Sequence, residues 1–182
     1  MKFIKALLFS FGLLLSFSVA AQRTILHCGK LINGVSDQVQ TQMSVVIQGN
    51  KIVSIDKGYT RGSSEDQVID LKDKTVMPGL MDMHVHIEGQ TSPTRYVESF
   101  TANEADIAYN AQFYAKATLM AGFTTVRDLG GTGVNISLRK AINAGKVVGP
   151  NIYTAGKTIA TTGGHGDPTN GWKKDLMGDP GP

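Results

Sequence analysis

The stretch Pro78-Gly79-Leu80-Met81-Asp82-Met83-His84-Val85-His86 restricts this chain more than any other. Pro78 cannot donate a ladder hydrogen bond and Gly79 has no side chain to pack, so the pair ends the preceding strand and residues 80–87 begin a new one. Side chains alternate faces along a strand. His84 and His86 are therefore expected to project together, with Cα atoms roughly 6.6 Å apart at about 3.3 Å per residue, and Asp82 shares their face one step earlier. Two imidazoles so placed can each present a ring nitrogen at the ~2.0 to 2.1 Å that a first-row divalent cation requires. Standing alone, a His-x-His pair is as easily two hydrogen-bonded structural side chains. What surrounds it favours the metal.

After residues 88–94, a loop with Gly89 and Pro93, a region opens near Asn103 and Glu104 in which Ile107, Ala108, Ala111, Ala115, Thr118 and Leu119 recur at three and four. That stripe is a helix laid on a sheet, and Gly122 stops it. Residues 123–129 form a second buried strand ending in Arg127 and Asp128, for which a structural ion pair is one explanation. Gly130, Gly131 and Gly133 make the turn into a helix over residues 136–144, and residues 150–155 form a third strand. Strands alternating with helices of this length point to βαβ units and a parallel sheet, in which chemistry gathers at the carboxyl ends of the strands. The glycine cluster completes neither phosphate-binding pattern, so a tight turn explains it.

Ahead of Pro78 the signals are strands. They cover residues 24–32, then 43–48 and 51–56 around Gly49-Asn50, then 68–71 and 75–77 around Lys72-Asp73-Lys74. The two-residue Gly49-Asn50 loop suits a hairpin, and Val45 with Ile47, and Val53 with Ile55, give each arm an apolar face. Residues 58–67 form a polar loop, and His27 is a structural residue of this sheet.

Thr75-Val76-Met77-Pro78-Gly79-Leu80-Met81-Asp82-Met83-His84-Val85-His86 resembles the first barrel strand of the metal-dependent amidohydrolase superfamily. Gly163-Gly164-His165-Gly166-Asp167, together with Thr124-Thr125-Val126-Arg127-Asp128-Leu129-Gly130-Gly131, resembles the branch that contains Xaa-Pro dipeptidases, related metallocarboxypeptidases and imidazolonepropionase-like chains. The resemblance implies an α/β fold: a small β-sandwich segment over residues 22–77, completed in that superfamily by strands from the far end of the chain, and then the start of a TIM (β/α)8 barrel over residues 78–182. A whole barrel takes about 250 residues, so only about three of its βα units are expected here and the chain is expected to be an N-terminal fragment. His84 and His86 would be metal ligands, and His165 would lie on the substrate side. Asp82, Arg127 and Asp128 would be structural residues near the site. The cofactor implied is a divalent metal, zinc, as one or two ions. The superfamily's carboxylated lysine, later histidines and aspartate proton shuttle would all follow Pro182.

Residues 1–21 have the form of a secretory signal peptide: Lys2 and Lys5, an apolar run from 6 to 19, and small residues at 18–21. The product is expected to be exported, periplasmic or secreted, without stable membrane insertion after cleavage. Cys28, the only cysteine, has no partner for an internal disulfide and suits a buried position. Without Lys2 and Lys5 the basic residues number 16 against 15 acidic ones, and no basic run suggests nucleic acid. The expected partner is a small-molecule amide, a dipeptide or an N-acyl amino acid, whose C–N bond would be hydrolysed by metal-activated water. Assembly into a homo-oligomer is left open. A cyclic amidase of imidazolonepropionase type and a non-catalytic exported metal-binding βα scaffold are the alternatives. Two histidines make only a partial site, so the 182 residues alone are expected to be inactive.

Overall fold

A computed structural model describes residues 22–167, 169–171 and 173; the leader expected over residues 1–21 lies outside the described residues. The chain is a mixed α/β protein that divides into two compact units, Met1–Pro78 and Gly79–Pro182. No helix among the described residues is long and apolar enough to cross a membrane.

The first unit contains β1 (Arg23–Leu31), β2 (Gln40–Gln48), β3 (Lys51–Lys57) and β4 (Gln67–Val76), in the order β3-β2-β1-β4. The hairpin pairs are antiparallel, while β4 joins the edge of β1 in parallel after the loop over residues 58–66. Cys28, Leu31, Met43 and Val45 form the core on one face, with Leu26, Ile47 and Val76 packed on it. Burial pushes the Cys28 thiol pKa up, consistent with an inert apolar role. On the opposite face the 58–66 loop folds over the buried Ser44, whose Oγ donates to the Gly58 carbonyl and accepts the Thr60 N–H, both at 2.8 Å. His27 Nε2 donates to the Thr60 carbonyl at 2.9 Å, holding the same loop.

Three details differ from the sequence expectation. Residues 67–76 are one strand, not two, because β4 bulges past β1: Cys28 pairs with Leu71 but Lys30 with Thr75. Gly29 makes this detour fit, since a Cβ there would lie 2.0 Å from the Lys72 carbonyl oxygen. Val53 and Ile55 stay exposed on the edge strand β3, so only the β2 arm of the hairpin reaches the core. The described residues of this unit form one four-stranded sheet rather than two sandwiched layers.

The second unit runs β5 (Leu80–Val85), α1 (Arg95–Thr101), α2 (Glu104–Met120), β6 (Phe123–Asp128), α3 (Val134–Asn143) and β7 (Asn151–Thr154). Its strands form a parallel sheet in the order β5-β6-β7. Ala111 and Ala115 from α2 and Leu138 from α3 meet Ile87, Val126 and Ile152 in the core, so both helices cover one sheet face. Asn103 caps α2 by accepting the N–H groups of Ala105 and Asp106, while Asp106 accepts the Asn103 N–H in return. The helix α1 was not expected. It buries no residue, and its Tyr96–Phe100 ring contact at 5.1 Å lies within the helix itself, so no core-facing stripe announces it.

Two stability outcomes follow from the first unit. Gly29→Ala forces β4 away from β1 and should lower stability by about 1 to 3 kcal/mol in urea denaturation. The Arg23 guanidinium, hydrogen-bonded to Asp66 at 2.6 and 3.0 Å, holds the Asp66 carboxyl well below the usual carboxylate range, helped by the Ser63 N–H. A depressed pKa stabilises the fold above the unfolded value of about 3.9, and that contribution fades as pH falls toward the folded value. Arg23→Gln should therefore be less stable than the parent at neutral pH, with the gap narrowing below about pH 4.

Candidate metal centre

The carboxyl end of β5 carries both histidines at its exposed edge. Their ring centroids lie 5.7 Å apart with the planes at 69°. His84 is within the strand and His86 one residue past its end. Among the described residues the His84 ring makes no hydrogen bond, whereas His86 Nδ1 lies 2.8 Å from the Gly130 carbonyl oxygen. A carbonyl can only accept, so Nδ1 carries the proton, and in the neutral ring Nε2 keeps its lone pair. Metal-bound histidines typically tie their second nitrogen in this way. The chemistry of the pair is compatible with a divalent cation, which His84 and His86 would hold. No cluster of three or more His, Cys, Asp or Glu suited to a metal exists among the described residues, and a catalytic zinc normally takes three protein ligands.

Asp82 engages the backbone of the strand end. The pairing of β5 with β6 shifts register between Asp82 and Val85, and Asp82 Oδ1 accepts the His84 backbone N–H at 2.9 Å. Its carboxylate supports the irregular strand end. Arg127 and Asp128 do not pair with one another. Arg127 Nε donates to the Met83 carbonyl at 2.8 Å, stitching β6 to β5 beside His84. Asp128 is 1% exposed and accepts the Gly130 N–H at 2.9 Å and the Asn135 amide at 3.3 Å. Adjacent strand residues point to opposite faces, so an ion pair between 127 and 128 was sterically remote.

Two residues of this region escape sequence reasoning. Glu88 accepts the backbone N–H groups of Thr132 at 2.6 Å and Asn135 at 2.7 Å. It thereby caps α3, whose N-cap position is occupied by Gly133 and offers no side chain of its own. Gly131 lies against that carboxylate, where a Cβ would come within 2.4 Å of Cδ. The sequence signal was present in the continued spacing 84, 86, 88, although it suggests a third ligand rather than a cap. Asn135 is fully buried, and its amide nitrogen donates to both Asp128 and the Gly156 carbonyl. An asparagine near a helix start ordinarily reads as a surface residue, so nothing local marks it.

His165 lies exposed in the loop after β7, and among the described residues no hydrogen bond or ring contact links it to the histidine pair. Asp167 organises that loop, accepting the N–H groups of Gly163 at 2.7 Å and Thr169 at 2.8 Å; these bonds lower its carboxyl pKa. A cavity of about 230 Å³ beside it is lined by Thr158, Thr161, Thr162 and Asp167 among others, and not by His165.

Residues 75–178 match the amidohydrolase family. The chain is 31% identical over 155 residues to an ochratoxinase of Aspergillus niger, covering 81% of this chain and 31% of that protein. It is also similar to the crystal structure of a Xaa-Pro dipeptidase with methionine bound in the active site. There the identity is 48% and the TM-score 0.77, over 87% of this chain and 39% of the other. A prolidase complexed with N-methylphosphonate-L-proline shares 31% identity with a TM-score of 0.74, over 87% of this chain and 37% of that one. The chain thus spans about a third of the length of that ochratoxinase.

Removing the Glu88 carboxylate leaves the Thr132 N–H in the turn before α3 and the Asn135 N–H in its first turn without their acceptor. Glu88→Ala should lower stability by about 1 to 2 kcal/mol in urea denaturation.

Proposed function

This chain belongs to the amidohydrolase family, and on that premise we propose that it supplies the first ligand pair of a metal-dependent hydrolase of carbon–nitrogen bonds. His84 and His86 hold the cation in this reading. The observation that carries it is the hydrogen bond from His86 Nδ1 to Gly130, which leaves Nε2 as the unprotonated nitrogen. A divalent ion there, zinc in our reading, supplies Lewis acidity that makes water a nucleophile near neutral pH and polarises the carbonyl under attack.

The chain's own residues do the holding. Asp82 fixes the His84 backbone, Arg127 fixes the adjacent Met83 carbonyl, and Gly130 fixes the His86 ring. The parallel order β5-β6-β7, with helices on one face, supports a TIM barrel begun by these three strands. We place the boundary between an N-terminal β side domain and that barrel at residues 77 and 78, and the remaining ligands on later strands. The substrate class we propose is a dipeptide or N-acyl amino acid, supported by the likeness to a Xaa-Pro dipeptidase and a prolidase. His165, in the loop that follows β7, is proposed for the substrate side. The charged start and apolar run of residues 1–21 support export.

The test is metal content and Xaa-Pro dipeptide hydrolysis in the full-length protein. His84→Ala and His86→Ala should each lose bound zinc and lower kcat/KM by more than the about 100-fold that losing an outer hydrogen-bonding partner costs. The 182 residues alone should bind zinc weakly and turn nothing over. Stoichiometric metal and unaltered hydrolysis in the double variant would refute the assignment.

A further inference from the structure

We propose that Asn135 is a positioning residue for His86, fixing the ring so that Nδ1 holds the proton and Nε2 is the free nitrogen. The inference deepens the metal reading above and rests on it for its meaning, although its own observations concern only the protein. The peptide joining Gly130 to Gly131 is gripped at both ends. Its carbonyl accepts from His86 Nδ1 at 2.8 Å, and its N–H donates to the Gly156 carbonyl at 2.8 Å. Asn135 Nδ2 donates to that same Gly156 oxygen at 2.9 Å and to Asp128 Oδ2 at 3.3 Å. Asp128 Oδ1 in turn accepts the Gly130 N–H at 2.9 Å. The side chain of Asn135 therefore links both acceptors that hold the residues on either side of the His86 contact.

The backbone of Asn135 closes the ring. Its N–H donates to Glu88 Oε1 at 2.7 Å, and Glu88 is two residues beyond His86 on the same loop. One buried residue thus reaches the histidine by two routes, through the 130–131 peptide and through the 86–88 segment. Gly130 itself takes φ 143°, and a Cβ on it would lie 2.3 Å from Thr158 Oγ1, so this turn has no room for a side chain at the residue whose carbonyl meets the ring.

Asn135 keeps this place against a cost. Its Oδ1 is buried and has no hydrogen-bond partner among the described residues. An apolar side chain would fill the same space without an orphaned acceptor, and burying an unpaired polar atom is unfavourable. What an apolar residue lacks is a pair of donors able to bridge Asp128 and Gly156. The amide is needed for its two N–H bonds, and the orphaned oxygen comes with it. Glu88 and Asp128, the carboxyl groups nearest in sequence to the histidine and its acceptor, accept N–H groups with both of their oxygens. Their role is to hold the frame.

The experiment uses the full-length protein with 15N-labelled histidine. Nitrogen chemical shifts of the metal-free protein report which His86 nitrogen bears the proton, and competition with a chromogenic chelator gives the zinc affinity. The unaltered protein should show His86 protonated at Nδ1. Asn135→Ala should mix the two tautomers and raise the zinc dissociation constant about 10- to 100-fold, the range for loss of an outer-shell partner. An unchanged tautomer and zinc affinity in a folded Asn135→Ala protein would overturn the proposal. So would an Nε2-protonated His86 in the unaltered protein, a reading that stands even if the variant fails to fold. A protein with the Nδ1 tautomer, loosened by Asn135→Ala, that binds no zinc would support the positioning role while removing the metal reading above it.

Discussion

A single backbone carbonyl, that of Gly130, carries the alignment of this centre. His86 lies past the end of β5, where no ladder bond restrains it, and its ring is held by one hydrogen bond to a residue 44 positions away. That bond exists because the β6–α3 turn comes close enough to touch the post-β5 loop. The closeness depends on an absence of side chains, since Gly130 abuts Thr158 and Gly131 abuts the Glu88 carboxylate. A substituent at either position would push the acceptor away from the ring. The glycine run between β6 and α3 is therefore the seat of a polar network.

Around this point the second unit separates two kinds of work. Val126 and Ile152 face α2 and α3 and contribute to a buried apolar core, each side chain stabilising the fold by about 1.5 to 3 kcal/mol if fully removed from water. At the strand ends Asp82, Arg127 and Asp128 each find hydrogen-bond partners within the protein. Asp128 is the buried exception to the rule that carboxylates seek cations: its partners are N–H dipoles from Gly130 and Asn135. Such an arrangement fixes geometry through direction as well as attraction, because each N–H must point at its acceptor.

The first unit shows the limit of local pattern. Its strands are set by β-branched and apolar alternation, and the hairpin forms where Gly49-Asn50 puts it. The long β4 was hidden because Lys72-Asp73-Lys74 looks like a turn by composition. Pairing with β1 around Gly29 carries the strand through those residues, and a tertiary contact overrides the local signal. The exposed α1 was hidden for the reverse reason, since it has no buried face to leave a periodic trace.

The amino-acid sequence by itself determined β1 to β3, the alternation of β5, α2, β6, α3 and β7, and the amidohydrolase kinship. It also brought the pair His84 and His86 forward as the candidate ligands. These follow from period, turn chemistry and a contiguous motif, all of which act over a few residues. Tertiary structure alone decided that His86 is oriented by Gly130, that Asp82 supports backbone, and that Arg127 and Asp128 go to separate partners. It alone revealed Glu88 as a helix cap and Asn135 as a hub. The reason is physical: a hydrogen bond is directional and short, and the bonds of His86, Arg127 and Glu88 join groups 44 to 47 residues apart, and that of Asn135 to Gly156 groups 21 apart, that only chain folding brings within 3 Å, while the short-range bonds of Asp82 and Asp128 depend on the local turn geometry that the fold imposes.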